Sequence, residues 1–250
     1  MWRMLLISTA CALVAAAGAS TAAGRPSRAL TAVERCHAAL HAGERSAVFS
    51  GTMRSLRRGA DRMEMRFDLY RRVKGATTFV HVSAPGLGVW NAAARGVRRF
   101  RFRQKVANLS APAAYRALVS FRWTDAEGRQ LSRTSQVTPV CWQPDLRPDL
   151  RIARVTGTRG PAESALYLVT VRNEGRTAAS AFAVGLEVNG APVLPAPVLP
   201  MLEPGGRQAV AFTGPRCAAG SAVRATVDVD NRVDEADEAD DALLVPCPLP

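Results

Sequence analysis

Residues 222–245, AVRATVDVDNRVDEADEADDALLV, decide the fold of the C-terminal part of this 250-residue chain. From 223 to 230 apolar side chains alternate with polar or charged ones, which is the period-two pattern of a strand with one buried face. An acidic turn, DNRVDEADEADD, follows at 230–241, and a short apolar run, Ala242–Val245, comes after it. The stretch therefore predicts a β-hairpin.

The turn of this hairpin is dense in carboxylates, the oxygen ligands that hard cations such as calcium prefer. An EF-hand loop starting at Asp228 would need an oxygen-bearing side chain at Arg232 and a glycine at Val233, so that motif is absent. Asp and Asn also accept backbone hydrogen bonds in turns. We therefore predict a structural acidic turn without a metal, with calcium binding as the alternative. Its residues are Asp228, Asp230, Asn231, Asp234, Glu235, Asp237, Glu238, Asp240 and Asp241.

Further marks in this half accompany the turn: PDL at 148–150, VRNEG at 171–175 and EPGG at 203–206. Together with the turn they resemble CARDB, the cell-adhesion-related domain found in bacteria, whose members end on a "VD.dN.v.E.dE.NN" turn between two strands. Asp240 and Asp241 stand where the family usually has two asparagines. The resemblance covers roughly 146–248 and implies an immunoglobulin-like β-sandwich. The turn residues that match are Val227, Asp228, Asp230, Asn231, Val233, Glu235, Asp237 and Glu238.

The preceding part of the chain has the same period of two. Residues 62–69 and 115–123 alternate apolar with polar or charged side chains, and about seven short strands separated by turns are typical of a β-sandwich. Residues 30–40 fit a helix and a bent edge strand equally well. The fold class that we predict is all-β, with two immunoglobulin-like or fibronectin-like β-sandwich domains.

The domain organisation follows from these patterns and from a change of composition at QPDLRPD, whose two prolines stiffen the chain. We expect a signal peptide at 1–23, an Arg-rich β-sandwich domain at 30–142, a Pro-containing linker at 143–149, and a CARDB-like immunoglobulin-like domain at 150–250.

The first residues predict export. A positive Arg3 precedes an apolar run at 4–17, and small residues at 17–19 and 21–23 offer cleavage sites, as in a secretory signal peptide. A retained signal acting as an anchor is the alternative. After the signal no apolar run approaches the ~20 residues that a membrane helix needs. We expect a secreted or extracytoplasmic protein associated with the cell surface.

Four cysteines follow the signal, and an even number in an exported chain indicates disulfides with three possible connectivities. Neighbouring cysteines bracket each proposed domain, so we predict Cys36–Cys141 and Cys217–Cys247. Each bond would stabilise the fold by about 3–5 kcal/mol on the chain-entropy description. Their spacing does not resemble a zinc site.

The net charge of +12 is unevenly distributed: +15 over residues 24–142 and −4 over 143–250. The arginine excess fits either GC-rich coding or selection for an anionic partner. Within VRRFRFRQKV (97–106), Phe100 and Phe102 would face the core and the arginines solvent, so we predict no nucleic-acid binding. Core packing is likewise the preferred interpretation for Trp90 and Trp142.

The sequence offers no support for catalysis. It has no GxSxG elbow, no phosphate-cradling loop and no cysteine expected to stay reduced, so we predict no enzyme, no catalytic residue and no cofactor. The resemblance to CARDB implies the favoured function, an exported adhesion or binding module that presents β-sandwich surfaces to an unknown protein or glycan of the bacterial cell envelope. The alternative is a peripheral accessory protein held electrostatically to anionic envelope polymers by the basic first domain. An unrecognised hydrolase is the third interpretation.

Overall fold

The structure is a computed structural model that describes residues 27–59 and 61–250. The predicted signal peptide, 1–23, lies outside the described residues. Within those ranges the named strands pair only antiparallel, and a single 3-10 turn spans Ala42–Glu44. No helix in the described part of the chain has the length and apolar character needed to cross a membrane.

The first sandwich has two antiparallel sheets. Its strands are β1 (Ala29–His37), β2 (Ser46–Arg54), β3 (Arg62–Val73), β4 (Val80–Val82), β5 (Trp90–Ala92), β6 (Arg99–Ala107), β7 (Ala113–Thr124), β8 (Gln130–Val137) and β9 (Cys141–Gln143). One sheet has the order β1-β2-β6, and the other has the order β4-β3-β7-β8, with β5 paired to β3 and β9 paired to β7. Residues 30–40, which fitted a helix or a strand, begin in edge strand β1, whose register shifts between Val33 and Arg35.

The core of this sandwich is formed by the apolar sides of the alternating strands. Phe49 on β2, Phe67 on β3 and Phe121 on β7 are almost fully buried in one hydrophobic cluster. Phe100 and Phe102 on β6 pack against that cluster from its edge. The outward side of β6 is consequently left to its basic residues, as its alternation predicts.

The second sandwich also has two antiparallel sheets. Its strands are β10 (Leu150–Arg159), β11 (Ser164–Asn173), β12 (Phe182–Val188), β13 (Ala191–Pro192), β14 (Val198–Leu199), β15 (Arg207–Pro215), β16 (Ala222–Val227) and β17 (Ala242–Pro246). The first sheet has the order β10-β11-β15, and the second has the order β13-β12-β16-β17, with β14 paired to β12. Asn189 and Gly190, between β12 and β13, both have positive φ, as a tight hairpin turn requires.

A second hydrophobic cluster fills this sandwich and contains the almost fully buried Leu150, Tyr167 and Phe182. On β11 the buried side carries Tyr167, while Leu166 and Leu168 point outward, each 42% exposed. Both sides of β11 are apolar in sequence, so the alternation predicts the strand without showing which side is buried.

Strands β8 and β9 are separate, because Pro139 between them has no N–H to donate to a ladder. Two sequence-based expectations need correction in this region. The predicted linker begins one residue too early, since Gln143 belongs to β9 and is fully buried. Trp142 is 46% exposed and not a core residue, because its neighbours on β9, Cys141 and Gln143, are the inward-facing ones.

Both predicted disulfides are present. Cys36–Cys141 joins β1 to β9 with a Cα–Cα distance of 5.4 Å, and Cys217–Cys247 joins the segments that follow β15 and β17 at 5.6 Å. Each bond therefore connects the two sheets of one sandwich. The pairing agrees with an extracytoplasmic location, where disulfides persist.

Candidate functional site

The acidic loop, residues 228–241, connects β16 to β17. It turns sharply at Asp228 and Asn231, whose φ values of 46° and 49° lie in a region that Asp and Asn tolerate better than most residues. Asp228 Oδ2 accepts a hydrogen bond of 2.8 Å from the N–H of Val233, and the Val233 side chain is buried in the core. The first half of the loop is thus folded back onto the sandwich.

The middle of the acidic loop is attached to the chain segment that leads into β10. The N–H of Leu150 donates a hydrogen bond to Glu235 Oε2, and the N–H of Ala236 donates to the carbonyl of Pro148 at 2.8 Å. Arg147 pairs with Asp234 at 2.6 Å. Residues 85 positions apart are therefore held together by main-chain groups as well as by charge.

Three carboxylates of the loop converge. Glu235, Glu238 and Asp241 each offer an oxygen, and these oxygens all lie within 4.8 Å of one another. Glu235 is only 1% exposed, Asp241 is half-buried and Glu238 is exposed. Glu238 Oε1 also accepts the N–H of Glu235 at 2.9 Å, which holds the two side chains in one turn. We call Glu235, Glu238 and Asp241 the carboxylate cluster.

Burial and the charges of neighbouring carboxylates raise the pKa values of Glu235 and Asp241. The pKa of Glu235 is raised to about 8, chiefly by burial and further by the charges of Asp241, Glu238 and Asp228, against the lowering effect of the Leu150 N–H. Burial likewise raises the pKa of Asp241 to about 6, with Glu238 as the largest charge contribution. The site therefore favours the binding of positive charge.

The other predicted residues of the acidic turn lie outside the cluster. Asp230 is exposed and forms an ion pair with Arg232, so its charge is already compensated. Asp237 Oδ1 accepts the N–H of Ala239 at 3.0 Å within the turn. The remaining predicted positions are exposed: Asn231, Asp234 and Asp240.

Asn173 positions the main chain next to the site by hydrogen bonds, a role that the sequence motif VRNEG did not indicate. Its Oδ1 accepts the N–H groups of Asp149 at 3.2 Å and Gly175 at 2.9 Å, and its Nδ2 donates to the carbonyls of Thr177 and Leu202. Because Asn173 is fully buried, its four hydrogen bonds fix the segment against which the acidic loop packs.

The first sandwich carries a different charged surface, which we call the basic face: Arg99, Arg101, Arg103 and Lys105, all exposed on the outward side of β6. Glu34 lies among them and pairs with Arg101 and Arg103. Hydrogen bonds from Ser50 and from these arginines lower the pKa of Glu34 to about 2. Glu34 is therefore ionised at neutral pH and compensates part of the positive charge of the basic face.

The second sandwich carries an uncharged surface on β10, β11 and β15. Leu166 lies between Thr158 and Thr213, and Leu168 lies between Thr156 and Ala211 in the neighbouring strands. We call these six residues the leucine face. Its two leucines expose apolar surface with no charged side chain among their cross-strand neighbours.

Comparisons with known proteins bear on the second sandwich. Residues 143–244 match the CARDB family model, which confirms the resemblance drawn from the sequence motifs. No curated protein matches the chain. Among solved structures, a CARDB domain from Pyrococcus furiosus in complex with di-metal ions is 24% identical, covers 42% of this chain and 90% of its own, and has a TM-score of 0.35.

Two larger enzymes resemble this chain more weakly. Red sea bream transglutaminase is 11% identical with a TM-score of 0.30, and the match covers 90% of this chain and 32% of that one. The exo-chitosanase CsxA of Amycolatopsis orientalis is 16% identical with a TM-score of 0.27, with coverages of 82% and 25%. The chain spans about a third and a quarter of the lengths of these two enzymes.

Proposed function

We propose that the protein is an exported, non-catalytic binding module of the bacterial cell envelope, because residues 143–244 match the CARDB family model. The family match carries this proposal. Two disulfides, each joining the sheets of one sandwich, support it, because such bonds persist in oxidising compartments and are rare in the cytosol.

The leucine face is the surface that we propose for contact with a protein or glycan partner. Leu166 and Leu168 are adjacent on one side of β11 and are flanked by threonine and alanine side chains rather than by charges. Apolar surface that is removed from water stabilises a complex roughly in proportion to its area, and uncharged threonines add hydrogen-bonding groups without a large desolvation cost.

The basic face supports a second candidate function, electrostatic attachment to anionic envelope polymers. Arg99 and Lys105 lie at the two ends of the outward side of β6 and are exposed. A cluster of like charge attracts polyanions over distances of about a Debye length, and this attraction weakens steeply with salt. The two candidates therefore differ in their expected salt dependence.

A cell-binding experiment separates the two functions. The purified, disulfide-bonded chain is incubated with cell envelopes of the bacterium that produces it, and the envelopes are then washed with NaCl from 0.1 to 1 M. The variants Leu166→Thr/Leu168→Thr and Arg99→Ser/Lys105→Ser are treated in the same way. If the leucine face binds, we expect retention at 1 M NaCl, about tenfold weaker binding of the leucine variant, and binding of the basic-face variant within about twofold of wild type.

The opposite pattern would replace the first function by the second. Release of the protein below about 0.3 M NaCl, with the main loss of binding in Arg99→Ser/Lys105→Ser, would establish electrostatic attachment. Free thiols in protein recovered from the host would contradict export, because both cysteine pairs are bonded in the folded chain.

A further inference from the structure

The carboxylate cluster contains buried oxygens that lack partners. Glu235 is 1% exposed and its Oε2 accepts the N–H of Leu150, but its Oε1 has no hydrogen-bond partner among the described residues. Asp241 Oδ1 and Asp228 Oδ1 are likewise buried without a partner in that part of the chain. Buried carboxylate oxygens are normally paired, because an ionised group that loses water without compensation destabilises the fold.

Arginine does not compensate these charges. In residues 27–59 and 61–250 the ion pairs near the acidic loop are Arg147 with Asp145 and Asp234, and Arg232 with Asp230. None of the ion pairs found there includes Asp228, Glu235, Glu238 or Asp241. Among the described residues, no arginine or lysine therefore supplies the positive charge that this site favours.

We propose that Glu235, Glu238 and Asp241 bind one calcium ion, with Asp228 beside them. Calcium takes oxygen ligands at about 2.3–2.6 Å, so two oxygens on opposite sides of the ion are about 4.6–5.2 Å apart. The three oxygens of the cluster lie within 4.8 Å of one another and can therefore surround one ion with little movement. The absence of His and Cys from the set disfavours zinc and copper.

This inference departs from the sequence-based expectation of a turn without a metal and is independent of the proposed function. The EF-hand spacing counted from Asp228 fails at Arg232 and Val233, whereas the cluster uses residues 235, 238 and 241. Asp230 belongs to the acidic sequence pattern like the other carboxylates, but it pairs with Arg232 and lies outside the cluster. Folding of the loop onto the start of β10 brings the ligands together.

Calorimetry on the full, disulfide-bonded chain tests the site. After removal of metals by a chelator, the protein is titrated with calcium chloride, and the melting temperature is measured with and without calcium. We expect one calcium per chain, with a Kd in the 10⁻⁴–10⁻³ M range of extracellular modules, and a higher melting temperature with calcium. Glu235→Gln and Glu238→Gln keep the shape of the side chain and should weaken binding at least about tenfold.

Asp230→Asn is the matched control, since it removes one charge from the same loop without touching the cluster, and its affinity should stay within about twofold of wild type. Glu238 is exposed, so Glu238→Gln tests the site even if the buried Glu235→Gln fails to fold. The proposal is overturned if millimolar calcium gives neither heat nor a melting shift in the wild type, as expected of a cluster neutralised by protons alone. Equal weakening in Asp230→Asn would also overturn it.

Discussion

Glu34 in the first sandwich and Glu235 in the second are surrounded in different ways. Glu34 accepts hydrogen bonds from Arg101 and Arg103 at the edge of an open sheet, and its pKa is about 2. Glu235 is buried beside other carboxylates, accepts one main-chain N–H, and has a pKa of about 8. Arginines on a strand of the same sheet thus stabilise the charge of Glu34. Glu235, in contrast, has no arginine or lysine partner among the described residues.

The two disulfides differ in the length of chain that they close, and this gives the largest expected effect. Cys36–Cys141 spans 105 residues and Cys217–Cys247 spans 30. On the chain-entropy description the longer loop contributes about 4.7 kcal/mol and the shorter about 3.6 kcal/mol. We expect urea unfolding of Cys36→Ser/Cys141→Ser to show the larger loss of stability, confined to the first sandwich. Equal losses would show that loop length does not govern the difference.

The pH dependence of stability should have opposite signs in the two sandwiches. The folded-state pKa of Glu235 exceeds its ordinary value of 4.5, so between pH 4.5 and about 8 the folded protein binds a proton that the unfolded chain releases. In chelator, the stability of the second sandwich should therefore fall as the pH rises through this window, by on the order of 3 kcal/mol.

Glu34 should act in the reverse direction. Its folded-state pKa of about 2 lies below 4.5, so its contribution is fully present above pH 4.5 and is lost as the pH falls towards 2. Unfolding curves from pH 2 to 8 for the wild type, Glu235→Gln and Glu34→Gln check both signs. Each variant should flatten one slope only, and a stability that rises between pH 5 and 8 and is unaffected by Glu235→Gln would contradict the buried-carboxylate assignment.

The strands and the cysteine pairing could be predicted because they depend on local periodicity and on which cysteines bracket a domain. The buried side of β11 could not, since Tyr167 and Leu168 are both apolar and only the facing sheet selects one of them. The exposure of Trp142 was missed for a similar reason. Its direction is set by Cys141, whose disulfide holds the neighbouring position inward.

The acidic turn was found from sequence, but its division into buried and exposed carboxylates was not. Val233 and Glu235 are two residues apart, and both are buried. In the sequence, the apolar Val233 was the residue that could have indicated which side of this segment is buried. The contact between Glu235 and the Leu150 N–H joins positions 85 residues apart, and only the packing of the loop against β10 creates it. Linear motifs such as the EF-hand do not describe a site assembled in this way.

The smallest expected effect is the loss of stability when an ion-paired arginine is removed from either sandwich, Arg147 in the second or Arg101 in the first. Arg147 pairs with Asp145 and Asp234 and is half-buried, whereas Arg101 pairs with Glu34 on an exposed strand. Arg147→Ala should lower the stability of the second sandwich by about 1–2 kcal/mol, because it also removes one of the contacts that attach the acidic loop to the segment before β10. Arg101→Ala should cost less than about 1 kcal/mol and become neutral in high salt. Urea unfolding at 0.1 and 1 M NaCl measures both changes. A larger loss of stability for Arg101→Ala than for Arg147→Ala would mean that the ion pairs of Glu34 stabilise the protein more than the attachment of the acidic loop does.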